Sequence, residues 1–216
     1  MRPASPHPSA PPPAHASAPA IVHLASASPR RRELLLQLGV PHEVLAVPAP
    51  PGEDEPRLPG ESPHAYVCRT AREKAMHALR WRREQGLPAL PLLAADTCVS
   101  LDDEIFGKPT DAADAARILR KLSNTCHDVR TAVVVAHDGA LFEILCASQV
   151  WMRDLLPAEI QRYCATAEPY GKAGAYGIQG LAGAFVARLD GSYTGVMGLP
   201  LCETAALLAR VGIQRP

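Results

Sequence analysis

Hydrophobic and polar positions follow two different periods along the chain, which predicts an α/β fold. The segment IVHLAS from Ile21 is typical of a short strand, and a helix then begins at Ser28-Pro29 and stops at Gly39. A second helix covers ESPHAYVCRTAREKAMHALRWRRE, and the apolar run ALPLLAADTCVSL after it has the length of a buried strand. Helices and strands therefore alternate through the first half.

Turn signals in the second half predict antiparallel strand pairs. Thr110 is predicted to cap the helix DAADAARILRKL, and two β-rich runs then meet at the hairpin dipeptide Asp138-Gly139. A short helix over about 157–165, a glycine-rich segment, a second hairpin at Asp190-Gly191 and a closing helix stopped by Gly212 complete the pattern. We therefore expect a mixed, twisted sheet covered by helices.

The composition sets residues 1–20 apart from the folded domain and limits the classes of ligand that the chain can bind. Residues 1–20 are almost entirely Pro, Ala, Ser and His, which predicts a disordered or polyproline-like tail, or one whose prolines bind a partner domain. Residues 21–216 are expected to form a single domain. Lys plus Arg and Asp plus Glu number 22 each, which argues against nucleic-acid binding and requires that any anion site be local.

The chain also lacks the patterns of a membrane or secreted protein. No apolar run approaches the roughly 20 residues that span a bilayer, and the N-terminus has no signal-peptide core. The six cysteines form no C-x-x-C pair, as in proteins that keep reduced thiols. We therefore expect a cytoplasmic location and no membrane partner.

The first helix carries three arginines where its dipole disfavours cations. Arg30, Arg31 and Arg32 lie in the first turn, beside the hydroxyls of Ser26 and Ser28 and the free N–H groups of the helix start. These groups together form an anion cradle of the kind found at phosphate sites. The alternative is that a solvated first turn tolerates arginine. The P-loop signature is absent.

Further polar residues occupy positions where a ligand site is expected. Lys74 falls in the apolar stripe of the second helix, where it either snorkels to solvent or points into a cleft. Asp96 ends the buried run LPLLAA, where it either caps a turn or activates a water near metal and phosphates. Lys108 lies in the tight turn FGKP, and Gln179 in the glycine-rich block EPYGKAGAYGIQG, a ligand-binding or a flexible loop. The acidic loop GEDEP offers a metal ligand or a solvated charge run.

Six blocks in order resemble the Maf family of nucleoside triphosphate pyrophosphatases. They are LASASPRRRELL, AREKA, ADTCV, GKP, EPYGKAGAYGIQG and GSYTGVMGLPL, and the resemblance extends from about Ile21 to Val211. It implies two lobes flanking a nucleotide cleft, and hydrolysis between the α and β phosphates with Mg²⁺ or Mn²⁺. The residues that it places on the triphosphate are Ser26, Arg30, Arg31, Lys74 and Lys108. It makes Glu55 and Asp96 metal ligands and Asp96 the base that activates water.

The segment AGAYGIQG resembles the branch of the family that acts on dTTP and UTP. The specificity positions of that branch match Arg30, Thr97 and Gln179, and modified pyrimidine triphosphates are plausible substrates too. The alternatives are a pyrophosphatase for 7-methyl-GTP or other purine triphosphates, or a non-catalytic, nucleotide-sensing inhibitor of septum formation. The resemblance also suggests a homodimer.

One position departs from the family pattern. Gly171 stands where an acidic residue usually precedes the lysine of the glycine-rich block, which bears on how the loop is pinned or the metal held. We expect activity to be retained because Asp96 and the other cations are present.

Overall fold

A computed structural model describes residues 21–48 and 55–215 of the chain. The expected tail, residues 1–20, and most of the acidic loop lie outside the described residues. The described part contains one seven-stranded sheet. Its strands are β1 (Val22–Leu24), β2 (His42–Val44), β3 (Leu92–Leu101), β4 (Glu104–Phe106), β5 (Cys126–His137), β6 (Ala140–Met152) and β7 (Val186–Asp190).

Helices cover the sheet between these strands. They are α1 (Pro29–Gln37), α2 (Pro63–Glu84), α3 (Ala112–Leu122), α4 (Pro157–Cys164), α5 (Tyr193–Met197) and α6 (Leu201–Ala209), with short 3₁₀ turns at Ala173–Ala175 and Leu181–Phe185. Within residues 21–48 and 55–215, none of the helices combines the length and apolar character needed to cross a bilayer.

The sheet is mixed, which confirms the predicted fold class. The strand order is β2-β1-β3-β5-β6-β7, with β4 paired to β3. Strand β1 pairs in parallel with β2 and β3, whereas all other neighbours are antiparallel. The predicted hairpin at Asp138-Gly139 joins β5 to β6, and both residues have positive φ, as the favoured two-residue turn requires.

Strand β3 creates an opening in the sheet because its two edges are paired differently. One edge pairs with β5 over residues 92–100. The other edge pairs with β1 only at Leu92 and Leu93, and with β4 only over 99–101. Residues 94–98 of β3 therefore have no strand partner on that edge among the described residues.

Alternation along β3 sends neighbouring side chains to opposite faces of the sheet. Leu92 and Ala94 pack in a cluster with Ala71 of α2, whereas Leu93 and Ala95 pack in a second cluster with residues of α1 and α6. Beyond the opening, Val99 joins a third cluster formed with α3 and α4. The opening thus lies between the third cluster and the first two.

Two local predictions are wrong, one helix cap and one hairpin turn. Asp111, rather than Thr110, is the N-cap of α3, and its side chain accepts a hydrogen bond from Asp114 N at 2.8 Å. A carboxylate at this position also suits the positive end of the helix dipole. Asp190-Gly191 does not form a hairpin, because Ser192 directly after it caps the short helix α5.

Candidate active site

A cleft of about 670 Å³ opens at the unpaired edge of β3. Its walls come from the β1–α1 turn, the middle of β3, the end of β4, the glycine-rich block and the end of α5. The cleft therefore lies where segments far apart in sequence converge on the centre of the sheet. Every residue that the sequence singled out for the site lines it: Ser26, Arg30, Arg31, Glu55, Lys74, Asp96, Thr97, Lys108 and Gln179. Their roles stay predictions.

The Asp96 carboxylate is buried and held from two sides. It lies on the face of the sheet that α2 covers, and only 5% of the residue is exposed. Its Oδ1 accepts a hydrogen bond from Lys74 Nζ at 2.7 Å, and its Oδ2 accepts one from Thr70 Oγ1 at 2.5 Å. Both partners donate a hydrogen bond, so each oxygen of this buried side chain has a polar partner. Asp96 is in mid-strand, so the turn-capping interpretation is wrong.

Lys74 points into the cleft rather than out to solvent. Its ammonium group forms ion pairs with Asp96 and with Glu55, which belongs to the acidic loop. The lysine appears in the apolar stripe of α2 because that stripe passes beneath the carboxylate of β3. One ammonium group thus lies between the two carboxylates that the family pattern assigns to a metal.

The described end of the acidic loop, Glu55 and Pro56, is held against the start of α2. Tyr66 Oη donates to the backbone oxygen of Glu55 at 3.3 Å, and Arg69 Nη2 donates to that of Pro56 at 2.9 Å. Arg69 also forms a two-bond ion pair with Glu61, and this contact lowers the pKa of the Glu61 carboxyl to about 2. These contacts fix the backbone on which the Glu55 side chain approaches Lys74.

The buried Arg31 side chain hydrogen-bonds to the β1–α1 turn, to β3 and to the end of α5. Its Nε donates to the backbone oxygen of Gly198 at 2.8 Å, while Nη1 and Nη2 donate to Ser26 Oγ and Thr97 Oγ1, each at 3.1 Å. Burial lowers the pKa of Arg31, which means that the folded protein disfavours its charge. An anion in the cleft would offset that cost. Arg32 is exposed.

A chain of hydroxyls continues from Arg31 through the sheet. Thr131 of β5 lies directly across from Thr97 of β3, with the two Oγ1 atoms 2.9 Å apart. Thr131 Oγ1 donates its one proton to the backbone oxygen of Gly195 at 2.7 Å. Thr97 must therefore donate to Thr131 and accept from Arg31. The Thr97 proton is already engaged within the protein.

We expect Thr131→Val to lower the free energy of unfolding by about 1–3 kcal/mol, measured by urea denaturation. The valine keeps the shape of a side chain that is 1% exposed, but it removes one of the two donors to the Gly195 carbonyl, which keeps only the Gly198 N–H, and it removes the acceptor of the Thr97 hydroxyl. Thr204→Val is the matched control, because the buried Thr204 hydroxyl has no hydrogen-bond partner among the described residues. Equal stabilities of the two variants would contradict the assignment.

The glycine-rich block packs closely against side chains of the cleft wall. A Cβ at Gly174 would lie 2.9 Å from Val99 Cγ1, and one at Gly177 would lie 3.0 Å from Lys172 Cε. These glycines make room for side chains of this chain, which brings Lys172 to the cleft wall. Gly171 has φ +72° with open space around it, so glycine suits that backbone conformation.

A buried contact between Tyr176 and His127 holds the same block against strand β5. Tyr176 Oη and His127 Nε2 are 2.8 Å apart, and their rings meet edge to face. Burial lowers the pKa of His127 to about 4, so the imidazole is neutral near pH 7. The block also contacts the FGKP turn, where Gly174 N donates to the backbone oxygen of Gly107 at 3.2 Å. This contact places Lys108 beside the block.

Cationic groups outnumber carboxylates in the described lining of the cleft. The cations are Arg30, Arg31, Lys74, Lys108 and Lys172, and the carboxylates are Glu55 and Asp96. Burial lowers the pKa of Arg30, and burial together with the nearby Arg30 charge lowers that of Lys172. A chain with no net charge therefore carries a local field that attracts polyanions.

Two residues of consequence for the site were missed from the sequence, Lys172 in the lining of the cleft and Thr70 behind it. Lys172 was visible as the lysine of the glycine-rich block but was given no role. Thr70 carried a fainter signal, because it precedes Lys74 by one helical turn and so lies on the same face of α2. Its contact with Asp96 depends on how α2 packs on β3.

The described residues contain no group of three or more His, Cys, Asp or Glu side chains that could hold a metal ion. Glu55 and Asp96 nevertheless both contact one cationic group, Lys74 Nζ. Protein-bound Mg²⁺ commonly takes one or two carboxylates and completes its shell with water and substrate phosphates. The donor set therefore fits a metal that arrives with a phosphorylated ligand.

Comparisons with known proteins cover almost all of the described fold. The family model described as Maf-like protein matches residues 21–211. A dTTP/UTP pyrophosphatase from Bordetella avium is 62% identical over 195 residues, which cover 90% of this chain and 97% of the relative. Proteins with that name from Bordetella pertussis and Cupriavidus metallidurans are 61% and 54% identical, over 93% and 89% of this chain and 97% and 98% of the relatives.

Proposed function

The chain belongs to the Maf family, and on that premise we propose that it hydrolyses dTTP and UTP to the monophosphate and pyrophosphate. The names of its relatives support this substrate class. The observation that carries the chemistry is the buried Asp96 carboxylate, held by two donors in a cleft whose other charges are mainly cationic. Turnover of modified pyrimidine triphosphates is compatible with the same cleft.

The triphosphate is proposed to lie at the start of α1. Ser28 makes no side-chain capping hydrogen bond, so the first N–H groups of the helix stay available for phosphate oxygens. Arg30 stands beside them, and Arg31 retains two of its five N–H donors after its three protein contacts. Lys74 and Lys108 enter from the other walls. A triphosphate with about four negative charges would balance this field.

Asp96 is proposed to accept a proton from the attacking water. The water oxygen forms a bond to the α phosphorus, the bond from that phosphorus to the bridging oxygen breaks, and pyrophosphate leaves. Lys74 holds Asp96 in place and, with Lys108, stabilises charge that develops on the leaving group. Each carboxylate oxygen of Asp96 keeps a further acceptor site for the water after its contact with Lys74 or Thr70.

Glu55 and Asp96 are the residues that would hold a divalent cation, Mg²⁺ or Mn²⁺. Such a metal, when bound, neutralises phosphate charge and polarises the reacting phosphoryl group. The protein's contribution is to fix both carboxylates, one through the loop anchored by Tyr66 and Arg69 and the other through α2.

For the base of the nucleotide, Gln179 offers both a donor and an acceptor at the exposed rim of the cleft. A pyrimidine edge presents the complementary groups. Thr97 contributes differently from Gln179, since its hydroxyl bonds to Arg31 and Thr131. We infer that Thr97 acts on specificity by fixing Arg31, while Arg30 and Gln179 face the nucleotide.

The decisive test is a panel of triphosphates assayed for pyrophosphate release. We expect dTTP and UTP to give kcat/KM at least about tenfold above 7-methyl-GTP and purine triphosphates, because a polar pocket discriminates strongly against the wrong hydrogen-bond pattern. A preference for 7-methyl-GTP would select the alternative substrate branch. If no nucleotide releases pyrophosphate with either metal, the chain is better explained as a nucleotide-sensing inhibitor of septum formation.

A cytoplasmic homodimer is the setting that we propose for this activity. All six cysteines are described and none forms a disulfide, in keeping with a reducing compartment. Light scattering of the purified chain measures the oligomeric state directly.

A further inference from the structure

One hydroxyl contacts the proposed base without itself lining the cleft. Thr70 lies on α2, is 1% exposed, and its Oγ1 is 2.5 Å from Asp96 Oδ2. We propose that Thr70 is a positioning residue for hydrolysis, which fixes the rotation of the Asp96 carboxylate. This inference rests on the proposed function, because Thr70 acts only through Asp96.

The direction of the hydrogen bond follows from the acceptors around Thr70. Its single proton has three acceptors within reach: Asp96 Oδ2 at 2.5 Å, the Tyr66 carbonyl at 3.0 Å and the Val67 carbonyl at 3.2 Å. The carboxylate is both the nearest acceptor and the charged one, and charge-assisted bonds are about twice as strong as neutral ones. Thr70 therefore donates to Asp96.

Thr70 and Lys74 act on different oxygens of the same carboxylate. They are one helical turn apart on α2, and they contact Oδ2 and Oδ1 respectively. Lys74 alone is a weak restraint on rotation, because it has a flexible stem and its ammonium group is shared with Glu55. The short, buried side chain of Thr70 supplies the second fixed point that defines the carboxylate plane.

Rotation of that plane would move the oxygen that receives the proton from water. A displacement of about 1 Å in a reacting group can cost about 100-fold in rate. The Thr70 contact should therefore act on the chemical step, because Thr70 does not line the cleft and is not among the groups proposed to touch the triphosphate. The expected signature is a change in kcat with little change in nucleotide affinity.

The test replaces Thr70 in the full chain and follows dTTP turnover with Mg²⁺. We expect Thr70→Val to lower kcat roughly 10- to 100-fold, while KM and the Kd of a non-hydrolysable α,β-methylene dTTP change less than about twofold. Thr70→Ser, which keeps the hydroxyl, should recover most of the rate. Thr204→Val applies the same change to another buried helical threonine outside the cleft and should leave kcat unchanged.

The comparison of Thr70→Ser with Thr70→Ala covers the case in which the valine variant does not fold, since these two variants differ only by the hydroxyl. Equal rates for serine and alanine, or a loss expressed in Kd rather than kcat, would overturn the positioning role. Wild-type turnover is the separate check on the proposed function. If the wild type releases no pyrophosphate, the proposed function itself fails; if it does and Thr70→Val matches it, only the Thr70 inference fails.

Discussion

We expect Asp96→Asn to lower kcat for pyrophosphate release from dTTP by about 10²- to 10⁴-fold, the usual contribution of a positioned general base. An amide cannot take the proton from water at this position. The asparagine can keep its oxygen toward Lys74 and direct its NH₂ group to the Thr70 hydroxyl, which then accepts and donates its own proton to the Tyr66 carbonyl. Stopped assays of pyrophosphate at saturating dTTP measure the loss.

Nucleotide binding should survive this replacement. The change removes one negative charge from a cleft that is proposed to hold a polyanion, so affinity for α,β-methylene dTTP should hold or rise. Asp128→Asn is the matched control, because Asp128 lies on β5 next to β3 but outside the cleft and pairs with Arg130 at 3.0 Å. A near-normal rate for Asp96→Asn would remove Asp96 as the base.

Most of the fold could be predicted from local signals that the structure confirms. Ser28-Pro29 begins α1, Gly39 follows its end with φ +71°, and Asp138-Gly139 turns between β5 and β6. The errors have a common cause. Asp111 competes with Thr110 for the cap of α3, and the Ser192 cap of α5 competes with the turn signal before it. In both cases a later residue accepts a hydrogen bond from the first turn of the helix that follows.

The site was predictable as a set of residues but not as a geometry. Arg30, Lys74 and Asp96 each conflicted with a purely structural reading of their segment, and all three line the cleft. Sequence could not show that Arg31 is buried in protein contacts, or that Thr97 bonds to Thr131. The second fact depends on the register of β3 against β5, and the first on how α1 packs against β3 and the end of α5.

We expect Lys74→Met to lower kcat/KM for dTTP by about 10²- to 10³-fold, similar to the loss of one preorganised donor from a charged site. The methionine keeps the aliphatic length but removes the ammonium group that pairs with Asp96 and Glu55. Two carboxylates would then face each other without a counter-charge, and the triphosphate would lose a donor. Steady-state kinetics on dTTP should show both a lower kcat and a higher KM.

Lys121→Met separates this effect from the general cost of losing a paired lysine. Lys121 on α3 pairs with Glu104 at 2.6 Å, but both side chains are 45% exposed and lie outside the cleft, so its removal should change little.

Lys74→Arg keeps the charge and should recover only part of the rate, because a planar guanidinium cannot reproduce a point contact to two carboxylates. Raising Mg²⁺ should partly restore Lys74→Met, since a second cation can neutralise Glu55 and Asp96. If Lys74→Met instead matches Lys121→Met, the ammonium group plays no part in catalysis, and the pairing of Lys74 with the two carboxylates serves the fold alone.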